Sequence, residues 1–403
     1  MPTYQYAARD ERGGAVNGTL IAPDAEALAE RLKRMGYLVT KSREVSESSP
    51  ADHFAQLLHP IGYNDLVLFN VQLSTMVRVG IPLVMALDTL SQQVDNASLR
   101  LTIADVARNV EAGNGFSESL ARHPRAFSPL FINMVRAGEV SGKLEEILRR
   151  LAAYAKHQAD LREQLKTALT YPILLLLVGL SVITFLLLGI IPKFMSIFLA
   201  AGVPLPLPTL ILYTLSQAVR RYGLAMLFLA AFGVVAAVRY VRTRSGRQRF
   251  DAFLLKLPVI GSLARKTALA RFARTLETLL SSGVPALESL AIAERTCGNA
   301  VIAQAVAAAE ASVRRGGAIS DPLRLSHEFP PMVVQMISVG ETSGTLDRML
   351  TEVADHYDEL VRHGIKRVTT LIEPLFLIVM GGLVALIMAS VLLPLFRMVN
   401  VIR

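Results

Sequence analysis

Two patterns of apolar residues alternate along the 403-residue chain. In the first, apolar positions recur every three or four residues, so that Leu66, Phe69, Leu73, Met76 and Val77 share one helix face. Asn64-Asp65 precedes that run as an N-cap candidate, and Gly80 followed by Pro82 closes this helix and opens the next. Further helices are expected over 82–95, 98–112, 129–138 and 141–166, with a half-turn or small helix at Gly115–Leu120. Strand alternation is absent here and in the similar stretch further on, which predicts all-α bundles. The N-terminus reads differently. Tyr4–Ala8 and Val16–Ile21 fit two strands about a turn at Gly13-Gly14, Pro23-Asp24 opens a helix through Met35, and Tyr37-Leu38-Val39 supplies a third strand. A polar linker, Glu44–Pro50, follows this small ββαβ unit.

In the second pattern the apolar residues are continuous. Thr167–Pro192 and Pro374–Phe396 carry no charge, and each is long enough for a hydrocarbon core of about 30 Å. Tyr222–Val238 is shorter, near the lower limit of about 17 residues; Tyr213 and Leu215 could extend it while Arg220 and Arg221 snorkel to the interface.

An internal duplication fixes the count of spans. Phe69, Leu73, Thr75, Gly80, Pro82 and Leu87 recur as Phe272, Leu276, Thr278, Gly283, Pro285 and Leu290. After one deleted residue, Phe127, Pro129 and Met134 fall on Phe329, Pro331 and Met336. Gly138-Glu139-Val140-Ser141-Gly142-Lys143-Leu144 then matches Gly340-Glu341-Thr342-Ser343-Gly344-Thr345-Leu346. The match enters the apolar segments, where Pro172, Gly179, Pro192 and Phe194 meet Pro374, Gly381, Pro394 and Phe396. Each repeat is a soluble domain followed by a span. Two homologous domains on one side of a membrane need an extra span between them, and Tyr222–Val238 is the candidate. The implied partition is 1–45 for the N-terminal unit, 54–170 and 240–372 for the helical domains, and 171–192, 217–239 and 373–395 for the spans. That leaves 193–216 as a loop and 396–403 as a tail. The proline ladder Val203–Pro208 predicts a stiff, non-helical connector there.

Charge orients the chain. Arg149, Arg150, Lys156, Arg162 and Lys166 precede the first span, Arg239, Arg242, Arg244, Arg247 and Arg249 follow the second, and Arg362, Lys366 and Arg367 precede the third. The opposite side holds Lys193, Arg220, Arg221, Arg397 and Arg403. The positive-inside rule puts the N-terminus and both repeats in the cytoplasm and the C-terminus outside. The net charge of +9 is then flanking charge around spans, not a nucleic-acid surface, and no nucleic-acid partner is expected. Hydrophobic residues at 52% against 19% charged fit a membrane protein. Met1–Arg12 is too polar for a signal peptide, so the first span is expected to act as its own insertion signal. Cys297, the single cysteine, cannot form an intrachain disulfide.

No constellation for chemistry emerges. The histidines His53, His59, His123, His157, His327, His356 and His363 show no metal-ligand spacing, and each reads as structural or superficial. A Gly-x4-Gly-Lys-Ser/Thr loop and a Gly-x-Ser-x-Gly elbow are both missing, so no cofactor and no enzymatic activity are expected. The repeated motif leaves two readings open. Gly138, Ser141, Gly142 and their counterparts Gly340, Ser343, Gly344 can form a tight joint between helices, the serine capping the helix that follows. Alternatively, Glu139 and Glu341 contact a partner or each other. In the last span Gly381, Ala385 and Ala389 place small residues on one face, as close helix packing requires. No ionisable residue lies inside a span core, which argues against an ion or proton path.

A short N-terminal unit, a duplicated helical domain bearing Gly-Glu-x-Ser-Gly-x-Leu and this order of spans resemble the type II secretion F / type IV pilus assembly platform family. The likeness covers nearly the whole chain. It implies cytoplasmic six-helix domains, self-association, and an inner-membrane platform that couples a cytoplasmic hexameric ATPase to pilin or pseudopilin assembly beside other inner-membrane components, within the lipid bilayer. The alternatives are a transporter subunit, which would need polar pore-lining residues, and a membrane-embedded enzyme, which would need a catalytic constellation.

Overall fold

The computed structural model describes residues 3–9, 15–21, 25–34, 36–45, 60–200 and 206–402. The turn at Gly13-Gly14, the helix start at Pro23-Asp24, Met35, residues 46–59, and Val203–Leu205 of the proline ladder lie outside them. At the N-terminus, β1 (Thr3–Arg9) is the central strand, pairing antiparallel with both β2 (Ala15–Ile21) and β3 (Leu38–Val45); α1 (Ala25–Arg34) lies between the last two in sequence.

The first repeat is built from α2 (Tyr63–Arg78), α3 (Leu83–Gln93), α4 (Ala97–Glu111), the short α5 (Phe116–Ala121), α6 (Pro129–Ser141) and α7 (Leu144–Phe185). The helical periodicity of the sequence becomes the core: Phe69, Leu73, Leu87, Leu99, Ile103, Phe116, Phe127 and Met134 are buried together. Asn96 caps α4 by accepting from the Ser98 and Leu99 N–H groups, and Ser128 caps α6, with Pro129 at its first position. The second repeat copies this with α11 (Ile260–Ser281), α12 (Ala286–Thr296), α13 (Ala300–Arg314), α14 (Ser320–Leu325), α15 (Pro331–Ser343) and α16 (Leu346–Ile402). Phe272, Leu276, Leu290, Phe329 and Ile337 occupy its core. Phe272 and Phe329 meet edge to face at 5.3 Å, a favoured aromatic geometry.

The last helix of each repeat does not stop at the membrane. α7 runs 42 residues and α16 runs 57, about 63 and 85 Å at 1.5 Å per residue. The apolar pattern has Pro172 and Pro374 opening separate spans; both instead lie inside continuous helices. Three described helical segments, Leu144–Phe198, Leu207–Arg242 and Leu346–Pro394, are long and apolar enough to cross a membrane.

Two further departures concern the region after the first span. A π-turn, Leu186–Ile190, sits immediately before Pro192, and α8 (Ile191–Ala200) continues the same rod. Pro192 has no N–H to offer the Leu188 carbonyl and its ring crowds that oxygen, so the wider turn accommodates it. The expected loop over 193–216 is therefore largely helical, because α9 (Leu207–Arg242) begins within the proline ladder. Pro208 is tolerated in its first turn, where the N–H has no intrahelical partner in any case.

The membrane segments pack through small and hydroxyl residues. A Cβ on Gly179 would lie 2.8 Å from the Phe376 ring, so this glycine lets α7 and α16 approach. Thr209 Oγ1 donates to the Ser390 carbonyl at 2.8 Å, and Ser216 Oγ donates to the Leu187 carbonyl within the π-turn. Leu187, Ile191, Met195, Phe198, Leu212 and Ile387 form a small core around them.

Candidate functional site

Chemistry-bearing side chains concentrate at two places, the repeated motif and the joint between the repeats. At the motif, α6 ends on Gly142 with φ of 69°, and α15 ends on Gly344 with φ of 70°, left-handed geometry that favours glycine. The Lys143 N–H returns to the Gly138 carbonyl at 2.9 Å and the Thr345 N–H to Gly340 at 3.0 Å. The chain then reverses into the long helix. A Cβ on Gly138 would fall 2.9 Å from Ile147 Cγ1, and one on Gly340 2.8 Å from the Leu346 backbone, so these two positions admit no side chain.

The glutamate of the motif has an internal task in both repeats. Glu139 accepts the Phe116 and Ser117 N–H groups, the second at 3.0 Å, through its two carboxylate oxygens. Glu341 accepts those of Ile319 and Ser320, the second at 3.1 Å. Each carboxylate thus closes the N-terminus of a six-residue helix, α5 or α14, whose own length gives it little stability. The serines depart from expectation. Ser141 Oγ donates back to the Ala137 carbonyl and Ser343 Oγ to Val339, both at 2.7 Å, so neither caps the helix that follows. Lys143 occupies that N-cap in the first repeat, without a side-chain bond.

The joint brings together residues that sequence spacing does not associate. Leu279, Val284 and Ile292 of the second repeat are buried in the core of the first, while Leu161, Leu165 and Ala168 of α7 pack on the core of the second. Arg150 Nη1 donates to Ser281 Oγ at 2.5 Å. Deeper in, Arg274 on α11 binds Asp355 and, at 2.7 Å, Asp358, both on α16. His157 of α7 comes within 3.0 Å of Asp358 Oδ2. That approach is out of line with the ring N–H, so it is a close contact and not an aligned hydrogen bond. Burial pushes the Asp358 carboxyl upward, but His157 and Arg274 outweigh it and hold the group below the usual carboxylate range. Burial also works against the Arg274 charge, and the two aspartates more than offset it, raising its pKa. Elsewhere burial pushes the Cys297 thiol up to about 12, so the thiol stays protonated and unreactive.

Of the residues singled out by sequence, the structure groups Gly138, Glu139, Ser141 and Gly142 at one helix joint and Gly340, Glu341, Ser343 and Gly344 at its copy. Gly381 and Ala385 are exposed on the outer face of α16, and a Cβ on Gly381 would meet no atom within 4 Å. Ala389 is half-buried. The Arg274–Asp355–Asp358–His157 cluster has almost no signature in the sequence. Its only trace there is the i, i+3 pair of aspartates.

This architecture defines a multi-pass membrane protein with a duplicated helical domain. Residues 69–192 and 272–394 match the family model described as type II secretion system (T2SS), protein F, and residues 1–43 match that of its N-terminal domain. The chain is 40% identical over 406 residues to the type IV pilus assembly protein PilC of Thermus thermophilus, covering 99% of both. It is 36% identical to the protein of that name in Myxococcus xanthus, over 99% of this chain and 96% of the other. Against the type II secretion system protein F of Vibrio cholerae it is 33% identical over 99% of each. The chain belongs to the type II secretion system protein F family.

Two outcomes follow from the site geometry. Glu139→Lys or Glu341→Lys leaves two N–H groups without acceptors and should cost about 1–3 kcal/mol of stability. Hydrogen exchange should quicken at residues 116–117 in the first variant and at 319–320 in the second; unchanged protection would show that the carboxylates are not caps. Asp358 has a depressed pKa when folded, so its contribution is present above the unfolded carboxylate value of about 4 and is lost as pH falls through the folded one. Asp358→Asn should therefore flatten the dependence of thermal stability on pH below about 4. An identical acid slope in variant and parent would count against this role.

Proposed function

We propose that this chain is the inner-membrane platform of a type IV pilus or type II secretion machine, coupling a cytoplasmic hexameric ATPase to the assembly of pilins or pseudopilins. The full-length match to relatives named for those two processes carries the reading. The duplicated domains and long continuous helices suit it mechanically. A helix that runs unbroken from a cytoplasmic bundle into the bilayer can pass a displacement of one to the other. The platform acts by holding and moving other proteins, without a catalytic step of its own.

In this reading the N-terminus and both repeats face the cytoplasm and the C-terminus lies outside, an orientation that the arginine asymmetry supports. Energy then enters through the repeats, and their exposed surfaces are where the motor docks. Glu139 and Glu341 serve that surface by fixing α5 and α14, since both oxygens of each are already engaged. Gly381, Ala385 and Ala389 supply the face on which copies of the chain associate within the membrane.

Two experiments bear on this. Full-length protein captured from solubilised membranes should bring down the hexameric ATPase and crosslink to itself. Gly381→Leu should weaken the crosslink without loss of the motor. Absence of the motor from stringent captures, together with normal filament assembly or secretion in a deletion strain, would remove the platform reading. Reporter fusions at 160, 210, 300 and 403 should report inside, outside, inside and outside. An extracytoplasmic signal at 300 would overturn the three-span topology.

A further inference from the structure

The second span ends in a sharp turn. α9 finishes at Arg242, and a further helix, α10 (Arg244–Lys256), begins after the single residue Thr243. Thr243 Oγ1 donates to the Tyr240 carbonyl at 2.7 Å and accepts the Gly246 N–H at 3.1 Å, which pins the turn from both sides. A Cβ on Gly246 would fall 2.0 Å from the Tyr240 carbonyl oxygen. The first turn of α10 therefore lies level with Tyr240, about 3 Å along the helix from Val238, where the uncharged run ends. Arg249, further along α10, still reaches the Tyr240 hydroxyl at 3.4 Å. Thus α10 runs beside the end of the span and does not lead away from it.

The face that α10 turns toward the span is apolar. Gly246, Phe250 and Phe253 share one stripe at helical spacing, and Gly246 is its member that touches α9. Phe250 and Phe253 are 45% and 60% exposed. The opposite face is tied down: Leu255 is buried, and Asp251 Oδ2 accepts the Ala300 N–H at 2.7 Å at the start of α13. The turn into α11 extends the bare surface. Val259 has φ of 67° and ψ of −59°, and the Ile260 N–H donates to the Pro258 carbonyl at 2.8 Å. This is a γ-turn of the strained hand, at a β-branched residue, and both Val259 and Ile260 stay exposed. Water offers these side chains no compensation for the strain, whereas an acyl layer would bury both.

Arginines lie beside this surface. Arg242, Arg244, Arg247 and Arg295 line a cavity of about 480 Å³ between the end of α9, α10 and the corner of α12 and α13, with Glu294 as its one carboxylate. Among the described residues Arg242, Arg244 and Arg295 make no ion pair, and Arg247 makes only a loose one with Asp251 at 3.9 Å. Arg247 sits about 90° round α10 from the two phenylalanines, which sets the cavity beside the stripe, at headgroup level once the stripe is in the acyl layer.

We propose that α10 is an interfacial helix: Phe250, Phe253, Val259 and Ile260 enter the acyl boundary beside α9, and the arginine cavity holds the phosphate of an anionic phospholipid. An apolar stripe with arginines at its flank is the pattern of a helix lying on a bilayer, and the pinned turn at Thr243 keeps it there. Guanidinium groups without carboxylates suit phosphate oxygens, and at the foot of a span the phosphates within reach are those of lipid headgroups. Because Asp251 ties α10 to α13, lipid bound here fixes the second bundle against the membrane. The proposal needs α9 to cross the bilayer and is independent of which machine the chain serves.

The chain has no tryptophan, so a single one reports its own depth. In nanodiscs, full-length Phe253→Trp should be quenched by lipids brominated on their acyl chains and shielded from iodide. Val140→Trp, at an exposed site about 35 Å of α7 away from the first uncharged run, is the control and should behave in the reverse way. Spin-labelled phosphatidylglycerol should associate with the parent more strongly than labelled phosphatidylcholine. Arg242→Gln, Arg244→Gln and Arg295→Gln should each reduce that preference by up to about 5-fold, high salt should reduce it in the parent, and Arg244→Lys should retain it. Iodide quenching of Phe253→Trp equal to the control would mean a surface in water, and protection from both quenchers would mean a cover of protein, either a second copy or a partner. Either result, or an unchanged phosphatidylglycerol preference in all three folded glutamine variants, overturns the proposal. Failure of α9 to cross would show separately, at the reporter placed at 300.

Discussion

A backbone inside a bilayer has no water to satisfy its N–H and C=O groups, so a helix that enters must continue until it leaves. This constraint shapes α7 and α16 more than their local sequence does. Pro172 and Pro374 would ordinarily end or kink a helix, yet both stay within unbroken ones. At Pro192 the backbone yields by widening to a π-turn instead of opening, and Ser216 occupies the Leu187 carbonyl there. The same two rods supply the closing helix of each helical bundle. Membrane anchoring and bundle closure are thus parts of one element, and any shift of a bundle is a shift of a span.

The duplication makes the two bundles alike in construction while their joint makes them unlike in use. Both reverse direction at a left-handed glycine, both bring helices too close for a Cβ at Gly138 or Gly340, and both close their smallest helix with a glutamate. Around the joint the copies diverge. The second repeat contributes Arg274, Asp355 and Asp358, where the first has Val71, Ala153 and Lys156 at the matching positions. A buried charge is tolerated only when paired, and Arg274 is paired with both aspartates while His157 of the first repeat lies beside Asp358. Exchange of apolar residues between the cores makes the pairing of the repeats more than a surface contact.

Much of the architecture was legible from periodicity alone. Helical spacing located Phe69 and Leu73, uninterrupted apolar runs located the spans, and the duplication required an odd number of crossings. These are local or repeating signals, and hydrophobic burial translates them directly into structure. Periodicity misleads where two local rules compete. Proline clusters normally mark loops, but a proline in the first turn of a helix breaks no bond, so 207–216 became helix. Serine beside glycine normally suggests a cap, but Ser141 and Ser343 reached the preceding turn first.

The sequence by itself determined that the chain crosses a membrane three times with two copies of one helical domain, because length, apolarity and repetition are properties of the chain. Only the tertiary structure decided what the polar residues do. Glu139 finds its N–H donors 22 and 23 residues earlier, and His157 meets Asp358 from the other repeat. Polar contacts are short-ranged and directional, so their partners are set by which helices cross, at what angle and in what register. Apolar burial has no such demand, and for that reason it could be read in advance.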